Sequence, residues 1–213
     1  MAKEENDCQG VVDAVRKGAS NAQVAGEGCA ALMSLAFNNA DNKKRIAEAG
    51  GIAMILSMLD VHGASNAGVV EQGFAALRNL AFNNADNEKR IAEEGGIAMI
   101  LRMLEVHGAS NAEVARKGCG ALRNLADNDD NKRRIAEAGG IAMILRMMEV
   151  HGASNAEVAK NGCAALWNLA VNADNKRKIL AANGVSMVER MKSTWASNDG
   201  VQEMVDGALA ILR

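Results

Sequence analysis

The chain has 213 residues, 49% hydrophobic but only 2% aromatic, with no proline and 21 glycines. Its reliance on Ala, Leu, Ile, Met, Lys, Arg and Glu excludes a sheet-rich protein, and many glycines without proline point to recurrent tight helix ends rather than disordered linkers. A formal net charge of −2 excludes a general nucleic-acid binder, which needs a basic surplus, and the longest apolar stretches, such as 95–101, are too short to span a membrane.

Residues 1–7 (Met1-Ala2-Lys3-Glu4-Glu5-Asn6-Asp7) have no apolar core and do not read as a signal peptide. The expectation is a soluble chain of the cytoplasm or the nucleus. Residues 1–40 form an N-terminal partial repeat that lacks the short opening helix of later units. Asp13, Arg16 and Lys17 supply the polar outer face that the end of an array needs. Beyond this the chain is periodic. The block Arg45-Ile46-Ala47-Glu48-Ala49-Gly50-Gly51-Ile52 returns at Arg90, at Arg134 and more loosely at Lys178, with Ile46, Ile91, Ile135 and Ile179 spaced 45, 44 and 44 residues apart. The lost residue lies where Phe82-Asn83-Asn84-Ala85-Asp86-Asn87 becomes Asp127-Asn128-Asp129-Asp130-Asn131. The period divides the chain into repeats at 41–84, 85–128 and 129–172 and a capping repeat at 173–213. In that last unit Glu189, Arg190 and Lys192 interrupt the helix, and Glu189 stands where the preceding copy has Leu145.

Each repeat predicts three helices, as 85–128 illustrates. Asp86 or Asn87 caps a short first helix that Gly95 ends. A second runs from Gly96 or Ile97 to His107, with Ile97, Ile100, Leu101 and Leu104 at the spacing of one helix face. A third opens on a capping box, Ser110 with Glu113. Ser154 with Glu157 and Ser20 with Gln23 echo it, whereas Ser65 with Gly68 lacks the partner. The expected fold is an all-α solenoid with three helices per repeat, in the period range of armadillo and HEAT units. One unit cannot bury its own apolar face, so 1–213 reads as a single elongated domain.

Residue types that elsewhere carry chemistry are duplicated by the repeat. Cys29, Cys119 and Cys163 share one position, held by Phe74 in the second copy, which marks packing rather than disulfide or metal chemistry. His62, His107 and His151 recur at one helix end, where a cation suits the helix dipole, and zinc ligands on successive units could not converge. Met54, Met99, Met143 and Met187, with Met58, Met103, Met147 and Met191, read as core filling, and Lys132-Arg133-Arg134 as a solvated face. There is no Gly-rich phosphate loop and no singular nucleophile–base set. The sequence predicts no catalytic residues, no metal and no cofactor, and a non-enzymatic protein.

The segment Leu77-Arg78-Asn79-Leu80-Ala81-Phe82-Asn83-Asn84, followed by Asn87, Ile91 and Gly95-Gly96-Ile97, resembles armadillo repeats of the β-catenin kind. The mid-helix glycines Gly28, Gly73, Gly118 and Gly162 match them too, and the resemblance covers nearly the whole chain. It implies a right-handed superhelix whose third helices line a groove holding an extended peptide or disordered protein segment, antiparallel to the array. In such proteins an Asn near the end of each third helix bonds the peptide backbone, an amide being donor and acceptor at once. Here that position is Asn79, Asn124 and Asn168, with Ser34 and Ile211 at the ends.

Arg78, Arg123, Trp167, Gln72 and Lys117 complete the candidate groove. Plainer readings stand beside these: the asparagines as braces of neighbouring backbone, Trp167 as packing on the last repeat, the arginines as solvated surface or local ion pairs. Ala30, Ala75, Gly120 and Ala164 occupy the place where importin-α repeats carry Trp, so the platform for the Lys and Arg of a nuclear signal is missing. The arginines lean towards an acidic or mixed partner. Two alternatives stay open: a self-associating scaffold, or homo-oligomer, and an engineered or consensus-like array with no evolved ligand, favoured by His-Gly-Ala-Ser-Asn recurring at 62, 107 and 151.

Overall fold

The structure, a computed structural model, describes residues 7–213 and holds fourteen α-helices with no strand among the described residues. α1 (Asp7–Gly18) and α2 (Ala22–Ala36) come first. Then follow α3 (Ala40–Glu48), α4 (Gly51–His62) and α5 (Ala67–Ala81), and α6 (Ala85–Glu93), α7 (Gly96–Met103) and α8 (Ala112–Leu125). The array continues with α9 (Asp129–Glu137), α10 (Gly140–His151) and α11 (Ala156–Ala170), and ends with α12 (Ala173–Ala181), α13 (Gly184–Thr194) and α14 (Asp199–Leu212). α7 runs on into a π turn over Leu104–Gly108 where its counterparts α4 and α10 stay α-helical.

Asparagine starts most of these helices. The side chains of Asn21, Asn66, Asn111, Asn155 and Asn198 accept from backbone N–H groups at the start of the long third helices. Asn39, Asn84, Asn128 and Asn172 do the same for the short first helices. Each satisfies donors that a helix start leaves open. This corrects the sequence reading twice. The cap of α6 is Asn84 rather than Asp86 or Asn87, and the third helices open one residue after the serines of the expected capping boxes. Ser65, Ser110 and Ser154 donate backwards, to the carbonyls of His62, His107 and His151. The Asn that follows each has the extended backbone from which Oδ1 reaches forward into its helix.

The Gly-Gly pairs serve two needs. Gly95 sits at φ 87°, in the left-handed region where a Cβ is penalised, and Gly50 and Gly139 are alike. A Cβ on the next residue, Gly96, would lie 2.5 Å from Cγ2 of the buried Ile91 and 2.7 Å from its carbonyl oxygen. The mid-helix glycines allow equally close contact between helices. A Cβ at Gly73 would come within 2.7 Å of Leu59, one at Gly118 within 2.6 Å of Leu104, and one at Gly162 within 2.5 Å of Met148. Second-helix side chains thus pack directly on third-helix backbone. Cys29, Cys119 and Cys163 are free and buried in this core, their thiols pushed up to about 12 by burial, as suits packing residues. Met54, Met58, Met103, Met147 and Met191 are buried with them, while Met99, Met143 and Met187 pack on the core from its edge.

Hydrogen bonds tie each repeat to the one before. Among the first helices, Asn87 Nδ2 donates to the carbonyl of Lys43 at 3.3 Å, Asn131 to that of Glu88 at 2.9 Å and Asn175 to that of Lys132 at 2.9 Å. At the ends of the second helices, Nε2 of His62, His107 and His151 lies 2.7 Å from the carbonyls of Ala19, Gly63 and Gly108. Trp195 Nε1 makes the same bond to Gly152 in the last unit, at 2.7 Å. The histidines therefore act as repeat-to-repeat staples, a role that the dipole reading did not anticipate. A further correction concerns Lys132, which is buried, with Nζ 2.6 Å from the Asp129 carboxylate and 3.2 Å from the Asp127 carbonyl. Of that run only Arg133 and Arg134 are exposed.

Candidate peptide-binding groove

The third helices α2, α5, α8, α11 and α14 pack side by side into one layer. A cavity of about 470 Å³ is walled by Met33, Ser34, Arg78, Asn79, Arg116 and Lys117. A second, of about 290 Å³, continues along the layer past Arg78, Gly120, Arg123 and Asn124 to Glu157 and Lys160, with Phe37 and Phe82 at its loop edge. Arg78 and Asn79 belong to both, so the two form one groove.

Each ladder asparagine reaches back to the preceding repeat. Asn79 Nδ2 donates to the Met33 carbonyl at 3.1 Å, Asn124 to that of Arg78 at 2.9 Å, and Asn168 to that of Arg123 at 3.1 Å. Asn168 also donates to the Asp127 carboxylate at 2.7 Å. One amide hydrogen therefore braces the array. The oxygens of Asn79 and Asn124 accept from no donor among the described residues, and an amide oxygen can take two hydrogen bonds.

The groove is cationic. Glu113 holds Arg116, with Nε at 3.1 Å and Nη2 at 2.7 Å, which keeps the Arg116 guanidinium above its ordinary pKa and the Glu113 carboxyl below. Lys117 faces Glu71 at 3.6 Å. Arg78 and Arg123 make no ion pair among the described residues. Burial lowers the pKa of Arg78, Arg116 and Arg123 lower it further by like-charge repulsion, and Glu157 opposes them.

Of the residues singled out in the sequence, Arg78, Asn79, Asn124 and Arg123 share the second cavity and Lys117 lines the first. Gln72, Asn168 and Trp167 line neither. The Trp167 ring packs on α14, where a Cβ at Gly207 would come within 2.5 Å of it. Arg116 and Lys160 went unread although a signal existed: Arg116 and Arg123 are seven residues apart, on one helix face. Lys43 carried no such signal. It lies on the short α3 and reaches across to cap α5, its ammonium donating to the Phe82 carbonyl and standing 5.2 Å from the centre of the Phe82 ring.

The family model for protein zer-1 homolog-like, C-terminal domain, matches residues 4–206, nearly the entire chain. The chain belongs to this family. Among solved structures, an engineered protein is similar to this zer-1 homolog-like domain with a TM-score of 0.84 at 24% identity, covering 97% of this chain and 79% of the other. A designed armadillo repeat protein reaches 0.83 at 23% identity, over 96% and 82%. Another designed armadillo repeat protein, in complex with peptide (KR)4, reaches 0.82 at 22%, over 96% and 81%. At these identities the likeness establishes the fold, an armadillo-type solenoid. No curated protein matches the domain.

Proposed function

We propose that this domain binds an acidic, extended polypeptide segment along its third-helix layer. The observation that carries this reading is the pair Arg78 and Arg123, two guanidiniums beside one cavity with no ion-pair partner among the described residues. Holding like charges together half-buried costs free energy, and an incoming carboxylate offsets that cost while making charge-assisted hydrogen bonds. The open amide oxygens of Asn79 and Asn124 suit the N–H groups of an extended backbone. One designed neighbour is in complex with the basic peptide (KR)4. Here Ala75, Gly120 and Ala164 leave no aromatic platform for such side chains, and the cationic walls favour the opposite charge.

The test is fluorescence anisotropy against matched pools of short acidic and basic peptides. Acidic members bind, and Arg123→Glu weakens their binding roughly thirty-fold; a preference for basic members overturns the reading. A second reading, self-association, is favoured by Val61, Val106 and Val150, which recur in register and are 63%, 48% and 46% exposed. Light scattering across concentration decides it: a mass that climbs above 22.3 kDa and is restored by Val106→Asp supports self-association.

A further inference from the structure

The second cavity is built for more negative charge than one carboxylate carries. Among the described residues its walls hold Lys43, Arg78, Arg123 and Lys160 against one acid, Glu157. The Lys43 ammonium is engaged by the Phe82 carbonyl and ring, and that of Lys160 lies at the rim beside Gly200. The two forks facing the cavity without an ion-pair partner among the described residues are those of Arg78 and Arg123, and Arg116 adds its field from the adjoining cavity.

Gly120 shapes this place. The equivalent residue is alanine in α2, α5 and α11, at Ala30, Ala75 and Ala164, and glycine again in α14, at Gly207. A Cβ at Gly120 would lie 3.1 Å from Cδ and 3.6 Å from Nη1 of Arg78, and 3.5 Å from Nδ2 of Asn161. The missing methyl group is what lets the Arg78 side chain lie flat against α8 beside the Asn161 amide. Asn161, itself buried, spends one hydrogen on the Arg116 carbonyl at 3.3 Å.

A phosphorylated side chain brings a charge of about −1.5 to −2 and three strong acceptor oxygens, which paired guanidinium forks match better than they match a lone carboxylate. We propose that this cavity seats the phosphate of a phosphoserine or phosphothreonine within the bound segment, with Arg78 and Arg123 forking its oxygens and Gly120 keeping Arg78 in place. This rests on the acidic-segment reading above.

The experiment uses the full chain and a labelled library of extended peptides, randomised around a central residue that is serine, phosphoserine or glutamate. Phosphoserine members bind about ten-fold more tightly than their serine and glutamate counterparts, the size expected for one or two added charge-assisted hydrogen bonds. Gly120→Ala and Arg78→Lys each bring that ratio towards unity while glutamate members still bind, and unchanged thermal melting of Gly120→Ala shows that the fold is kept. Equal binding of phosphoserine and glutamate members overturns the phosphate site but leaves the acidic groove standing. Binding of basic members alone, or of none, overturns both. A phosphoserine preference that survives both substitutions places the phosphate elsewhere and also overturns the proposal.

Discussion

The two halves of the third-helix layer are built from the same repeat and use one register position in opposite ways. In the first half that position is Arg78 on α5 and Arg123 on α8, both beside the groove; in the second it is Trp167 on α11. Trp167 lies on α14 at Gly207, filling the place where a groove could continue. The loops differ too. Asn38 and Asn83 adopt φ of 50° and 52° after α2 and α5, whereas the equally long loop after α8 and the shorter one after α11 contain no left-handed residue. One half is open and charged, the other closed and aromatic. A binding surface in a solenoid is therefore defined by what the packing leaves unfilled, and repetition alone does not supply it.

Trp167→Ala tests this contrast most severely. Loss of the ring leaves a void against α14 and costs about 2–3 kcal/mol of stability, read as a lower denaturation midpoint, with acidic-peptide affinity unchanged. A parallel collapse of affinity would join the two halves into one site. Arg123→Glu, in the open half, costs about 2 kcal/mol of binding, roughly thirty-fold, and leaves the melting midpoint in place. Next comes Asn124→Ala, which removes the side-chain donor to the Arg78 carbonyl, leaving it only the Phe82 N–H, and lowers stability by about 1 kcal/mol while also weakening peptide binding. An affinity that does not change makes the ladder purely a brace.

The smallest effect lies on α6, between α5 and α8 of the open half. Glu88 stands where the other repeats have Lys43, Lys132 and Lys176, and its carboxyl is pushed up to about 7, first by burial and then by Asp127. Because the folded state holds this proton more tightly than the unfolded chain, the contribution of Glu88 is most favourable below pH 4.5 and is lost as pH rises towards about 7. Glu88→Gln flattens the stability profile across that window, as urea midpoints at a series of pH values would show. An unaltered profile would mean that Glu88 is not the group responsible.

Much of this molecule was legible because its signals are local. Gly95-Gly96 announces a left-handed turn and a close approach within a few residues of chain, and Ile46, Ile91 and Ile135 mark the register of the repeat. The helix caps were harder: Ser110 and Asn111 are both good capping residues, and the choice depends on which backbone is extended. For the groove, Arg78 and Arg123 were visible as a recurrent position, and Arg116 could have been read from its seven-residue spacing to Arg123. Lys43 could not, since its partner Phe82 lies 39 residues away.

The sequence by itself determined the period, the order of helices, the packing role of the cysteines and the armadillo class, because each rests on spacing along one chain or on substitution within a repeat. Tertiary structure decided which polar side chains are consumed and which are left over. His107, Asn87 and Asn124 look alike as polar residues of a repeat, yet each reaches a carbonyl about one repeat upstream. Arg78 and Arg123 find no such partner among the described residues. That difference arises only when helices far apart in sequence stack and bring their carbonyls, carboxylates and guanidiniums into a shared layer.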